Sequence, residues 1–161
     1  MEPDVRVVSP ESLMGPLPDL LEEGAVVPLV ISGGSMNPFL VSGRDTVYLS
    51  KPDGPAKRGD MVLYRRKGGA YVLHRVLRRE NGTYTMIGDA QTHPEPGIRP
   101  EQILARVTAV RRKGKLLQKG SFWWDFFAVL WIRMVPFRPG VVKAYTCLKR
   151  PFGQKESYES K

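Results

Sequence analysis

The sequence predicts a mainly β fold, a coiled sheet or partly closed barrel, with a short N-terminal lead-in and a C-terminal apolar helix. Three observations predict it. Short β-rich runs follow one another from Ala25 to Val110, namely VVPLVIS, DTVYLS, DMVLYRR, YVLHRVLRR, TYTMIG and ILARVTAV, separated by Gly, Pro, Asn and Asp signals. Between two of them lies Asn81-Gly82, the strongest short-range hairpin signal, because both central positions of a type I′ turn need positive φ. Downstream, SFWWDFFAVLWIRMVPFRPG is interrupted by charge only at Asp125 and Arg133 before its last residues, which lie ~80° apart on a helix and share one narrow polar edge.

With 161 residues the chain can build one domain around a real core, and is too short for two of typical size. Its apolar fraction of 42% and charged fraction of 25% belong to ordinary globular proteins. The net charge of +9 attracts anionic partners, nucleic acid or the anionic face of a membrane, without choosing between them. A single cysteine, Cys147, excludes an internal disulfide and any zinc site made of cysteine pairs. The two histidines, His74 and His93, stand outside any metalloprotease helix motif, so neither a metal nor another cofactor is expected.

Residues 1–24 read as the lead-in, with a short helix over Leu17 to Glu23 closed by Gly24. Acidic residues and prolines stand there in place of the basic patch and apolar run of an export signal. Residues 25–110 carry the β runs. Residues 111–150 combine a basic linker, RRKGKLLQKG, with the aromatic helix around Phe122 to Val135. That helix falls short of the ~18 uninterrupted apolar residues of a membrane span. Two readings stay open for it: packing on the sheet as core, or an interfacial anchor with Trp123, Trp124 and Trp131 at headgroup level and Arg111, Arg112, Lys113, Lys115 and Lys119 drawn to anionic lipid. Residues 151–161 form a polar tail.

The densest chemical signal is ISGGSMNPFL, where Ser35 follows two glycines. Glycines let the backbone approach a substrate and present amides to an oxyanion, which makes Ser32, Gly33, Gly34 and Met36 candidate oxyanion and substrate-binding residues beside Ser35. The second signal is His74 in the run YVLHRV. If Asn81 and Gly82 are the two loop residues, facing pairs have numbers summing to 163 and His74 faces Asp89. A carboxylate within ~5.5 Å Cβ to Cβ orients an imidazole and stabilises its charged form. Ser35, His74 and Asp89 would then act as nucleophile, base and orienter, with activity rising through an apparent pKa within a unit or two of ~6.5. Gly88-Asp89 is equally a turn signal, and Asp60 reads as structural.

Four boxes occur in order: Ser35-Met36-Asn37-Pro38, Gly59-Asp60-Met61-Val62, His74-Arg75-Val76 and Gly88-Asp89-Ala90. Over residues 25 to 110 this set resembles type I signal peptidases, in the variant that carries histidine rather than lysine as the base. The string Ile31-Ser32-Gly33-Gly34-Ser35-Met36 is also similar to the nucleophile segment of LexA-type peptidases. The resemblance implies a serine endopeptidase of the fold those families share, acting on an extended peptide or precursor protein. Three departures stand out. Gly33 occupies the place of a serine that donates to the oxyanion in many signal peptidases. His93-Pro94-Glu95-Pro96 replaces a downstream aspartate segment, so either Asp89 or Glu95 would orient His74. The family's N-terminal membrane anchor is missing from the sequence.

Alternatives from other classes are a LexA-like or phage-repressor-like regulator that cleaves itself, and a catalytically silent scaffold. The 34 residues ahead of Ser35 are too few for a helix-turn-helix domain and linker, and no Ala-Gly cleavage pair occurs. Nucleic acid is therefore not expected as a partner. The expected partners are a peptide substrate and, through residues 111–135, an anionic membrane surface. The expected location is the cytoplasm, with attachment to the inner face of the membrane.

Overall fold

The computed structural model describes residues 10–141; Cys147 and the polar tail lie outside the described residues. Two short helices, α1 (Pro10–Met14) and α2 (Leu17–Glu22), precede the sheet. Gly24 takes φ of 80° and closes α2: its N–H donates to the Leu21 carbonyl while that of Ala25 reaches Leu20, the paired bonds of a Schellman cap. Leu13, Met14, Leu17 and Leu21 are buried in the main core, so the lead-in is part of the fold.

Among the described residues eight strands follow: β1 (Val27–Val30), β2 (Thr46–Ser50), β3 (Met61–Arg65), β4 (Tyr71–Glu80), β5 (Thr83–Ile87), β6 (Glu95–Ile98), β7 (Ile103–Arg112) and β8 (Lys115–Gln118). Every pairing is antiparallel, in the order β1-β2-β7-β3-β4-β5-β6. The partly closed barrel expected from the sequence is instead one open sheet, ending at β1 and β6. The long strand β7 pairs along one side with β2; its other side is shared by β3 in the first half and by β8 in the second. Strands β6 and β8 extend the six expected runs. Pro96 suits a terminal strand, where a missing N–H removes no interior ladder bond, and Lys113-Gly114 turn the β7–β8 hairpin with φ of 50° and 78°.

Strand periodicity divides the apolar residues between two clusters. Met61 and Leu63 join Val47, Leu49, Ala105 and Val107 under α1, α2, Phe39 and the C-terminal helix. Val62 and Tyr64 point the other way, with Val76, Tyr84, Met86 and Ile98. Strand β3 is thus buried on both faces.

The C-terminal helix α3 begins at Phe122–Asp125, widens to a π-helical turn over Phe126–Leu130 and tightens to a 3₁₀ helix over Trp131–Phe137. Pro136 has no N–H for an α-helical bond, consistent with the change of winding. Trp124, Phe127 and Trp131 pack into the main core, while Phe122, Trp123, Val129, Leu130 and Phe137 are exposed. Among the described residues, no helix is long and apolar enough to cross a membrane.

Candidate active site

The hairpin between β4 and β5 turns at Asn81-Gly82, both with positive φ. Its first facing pairs, Glu80 with Thr83, Arg79 with Tyr84 and Arg78 with Thr85, have the expected sum. A bulge at Leu77 then adds a residue to β4, and beyond it Val76 pairs with Met86 and Arg75 with Ile87. Extended one step, this register sets His74 opposite Gly88 and not Asp89. A one-residue slip also exchanges sheet faces, and Asp89 meets the neighbour of His74 instead.

That neighbour is Arg75. Its Nε donates to both Asp89 oxygens, at 2.9 and 3.1 Å, and its Nη1 donates to the Gly59 carbonyl at 3.0 Å. Both side chains are fully buried. Burial pushes the Asp89 carboxyl up from its ordinary value, against the pull of Arg75. The expected His74–Asp89 contact is therefore replaced by an Arg75–Asp89 ion pair on the opposite face of β4.

His74 is 1% exposed. Its Nδ1 lies 3.1 Å from the Tyr64 hydroxyl, which donates to Glu95 Oε2 at 2.7 Å. Glu95 is gripped in turn by Arg66, with Nε to Oε1 at 2.8 Å and Nη2 to Oε2 at 2.7 Å. Register builds this chain. Val62 faces His74 across β3 and β4, so Tyr64, two residues on, is its diagonal neighbour on the same face, within reach of an aromatic side chain. Arg66 hydrogen bonds hold Glu95 below the ordinary carboxylate value, whereas burial drives His74 down from 6.5 to about 4. Glu95 is ionised and His74 neutral at neutral pH. Tyr64 escaped the sequence reading because an aromatic in a β run reads as core; the period-two spacing Val62, Tyr64, Arg66 is the available signal.

Ser35 is half-buried at the start of a turn. Its carbonyl accepts the Ala90 N–H at 2.9 Å, and a Cβ on Gly88 would lie 2.5 Å from that same oxygen. The Ser35 main chain thus rests against the residue that the register sets opposite His74. Gly33 has φ of 79°, Ser32 and Gly34 are exposed, and Met36 is buried in the main core. Arg112 straps the far side of the turn, its Nε donating to the Phe39 carbonyl at 2.7 Å.

The sequence boxes gain physical reasons. Gly59 is glycine because a Cβ there would collide with the Ala128 carbonyl of the C-terminal helix. Asp60 accepts the Lys57 N–H through Oδ2 at 2.8 Å, and its carbonyl receives the Val76 N–H, a structural role as expected. In the last box, Gly88 admits the Ser35 carbonyl, Asp89 anchors Arg75 and Ala90 donates to Ser35. The C-terminal helix clamps this turn: Trp131 Nε1 donates to the Asp89 carbonyl at 2.9 Å, and Arg138 Nη1 donates to Gly88 and Gln91 carbonyls at 2.8 Å. Beside it lies a cavity of about 440 Å³ whose walls include Asn37, Pro38, Ala90, Phe126 and Trp131.

No cluster of His, Cys, Asp and Glu able to hold a metal occurs among the described residues. His93 is exposed, its Nδ1 3.1 Å from Thr92 Oγ1. Of the basic residues expected at a membrane, Arg111, Lys113, Lys115 and Lys119 are exposed, Arg111 with its Nε donating to the Tyr48 hydroxyl at 3.3 Å. Arg112 instead is half-buried and grips the Phe39 carbonyl.

Over 55 residues, 34% of this chain, the sequence is 42% identical to the signal peptidase complex catalytic subunit SEC11 of Clavispora lusitaniae. The match spans about a third, 32%, of that protein's length. Over that stretch the sequence is similar to a signal peptidase catalytic subunit. No protein-family model matches it, and no solved structure does.

Proposed function

We propose that this chain is a signal-peptidase-like serine endopeptidase with Ser35 as nucleophile and His74 as general base. The observation that carries the reading is local. The Ser35 main chain packs on Gly88 and Ala90, opposite a buried, neutral histidine whose second nitrogen is held by Tyr64. In the first step the Ser35 hydroxyl attacks the peptide carbonyl while its proton passes to His74; that proton then goes to the leaving amine as the C–N bond breaks. Water, deprotonated by the same imidazole, hydrolyses the acyl-enzyme. The glycine turn supports the oxyanion through backbone amides near Gly33 and Gly34, because Gly33 offers no side-chain donor. The substrate is an extended peptide, and the apolar cavity beside Pro38 and Ala90 suits its hydrophobic side chains.

The exposed side of the C-terminal helix supports a working position at an anionic membrane surface. Phe122 is 72% exposed, Trp123 46% and Leu130 49%, with Lys113, Lys115 and Lys119 exposed on and just after the adjoining hairpin. Apolar burial and lipid charge would act together there. The test of the peptidase reading is cleavage of a precursor peptide, with a hydrophobic segment followed by small residues, by the full chain in anionic detergent or vesicles. Ser35→Ala should abolish cleavage; equal cleavage by both proteins contradicts the proposal.

A further inference from the structure

His74 takes its orientation from a phenol rather than directly from a carboxylate. The Tyr64 hydroxyl has one proton, and its 2.7 Å bond to Glu95 Oε2 uses it. Arg66 holds both oxygens of that carboxylate, so Glu95 is an acceptor toward tyrosine. The contact of 3.1 Å between His74 Nδ1 and the same hydroxyl then needs its proton from the imidazole. Nδ1 carries hydrogen, and Nε2 keeps the lone pair.

We infer that Tyr64 and Glu95 are positioning residues that fix His74 as the Nδ1–H tautomer and so leave Nε2 as the basic nitrogen that would take the Ser35 proton. This inference rests on the peptidase reading for its consequence, though not for the tautomer itself. When Ser35 attacks, its proton moves to Nε2 and the imidazole becomes a cation; the Nδ1 proton stays in its bond to Tyr64, and the tyrosine proton stays on its bond to Glu95. No proton is relayed onward. The Glu95 charge favours the cation formed at His74, while Arg66 opposes it. Asp89 is excluded from this task by its bonds to Arg75, and the tyrosine spans the gap between imidazole and carboxylate.

Tyr64 is fully buried among Val62, Val76 and Met86, so Tyr64→Phe keeps the packing and deletes only the hydroxyl. The experiment is ¹⁵N NMR of the histidine side chains in the full chain at neutral pH, combined with cleavage kinetics on the precursor peptide. His93→Gln assigns the two rings. The expected result is an Nδ1–H tautomer for His74 in the parent protein. In Tyr64→Phe that preference is lost and kcat falls about 10- to 100-fold, as for a misaligned catalytic group, with KM little changed. Glu95→Gln should retain an acceptor for the tyrosine and keep the Nδ1–H tautomer. An Nε2–H tautomer in the parent protein would overturn the inference whether or not the protein cleaves peptides. So would an active parent whose kcat survives Tyr64→Phe unchanged, whereas an inactive parent with the Nδ1–H tautomer would overturn the peptidase reading and leave the tautomer assignment standing.

Discussion

The guanidinium of Arg75 meets the carboxylate of Asp89 at 2.9 Å with both side chains excluded from solvent, on the face of β4 turned away from His74. Removing one member of a buried pair leaves the other uncompensated. Asp89→Ala should therefore destabilise the fold by about 3–5 kcal/mol, measured by urea unfolding. A variant of unchanged stability that has lost only its activity would return Asp89 to the catalytic machinery.

Gly88 is a second sensitive position, for a steric reason. A Cβ there would sit 2.5 Å from the Ser35 carbonyl, so Gly88→Ala must push the Ser35 turn away from β4. Displacement by about 1 Å costs on the order of 10²-fold in rate. We expect Gly88→Ala to lose cleavage by about that factor while remaining folded, and Gly82→Ala, at the distant hairpin turn, to alter stability but not kcat. Equal cleavage by Gly88→Ala and the parent would show that Ser35 needs no such packing.

The pH dependence follows from burial of His74. In the proposed mechanism the neutral imidazole is the base, and burial lowers its value from 6.5 to about 4. Activity should hold down to about pH 5 and disappear as pH falls through about 4, a lower limit than an exposed histidine would set. Stability has a related window. Between the folded value of about 4 and the unfolded value of 6.5, the unfolded chain binds more protons, so stability falls as pH drops across that interval and levels off below it. The shift corresponds to about 3 kcal/mol. His74→Asn should flatten this part of the stability profile; an identical slope in the variant would mean that His74 is not buried neutral.

Membrane attachment can be tested without truncating the helix, whose Trp124, Phe127 and Trp131 belong to the core. Replacing the exposed Phe122, Trp123 and Leu130 by serine leaves that inner face intact. The parent should co-sediment with anionic vesicles in a salt-sensitive manner and bind neutral ones weakly. The triple variant should stay in solution with a nearly unchanged melting temperature. Equal binding by the variant would assign attachment to another surface.

The β runs and the Asn81-Gly82 turn were legible because alternation and positive φ leave local marks. The bulge at Leu77 leaves none: it adds one residue to a strand of ordinary composition, and from there the arithmetic that paired His74 with Asp89 runs one residue out of step. Lys113-Gly114 was hidden in a basic stretch, although its second residue is the glycine that such a turn favours. The alternative acid, Glu95, was visible as a departure from the family pattern. Its connection through Tyr64 was not, because the contact joins β3, β4 and β6, which only the folded sheet brings together.

In the proposed mechanism Ser35 is the nucleophile. A fluorophosphonate probe, which reacts covalently with an activated serine, should label the full chain on one peptide containing Ser35, identified by mass spectrometry. Labelling should vanish in Ser35→Ala and slow sharply in His74→Asn at pH 7. Undiminished labelling of Ser35→Ala, or modification mapped to a different serine such as Ser32 in the parent, would contradict the account.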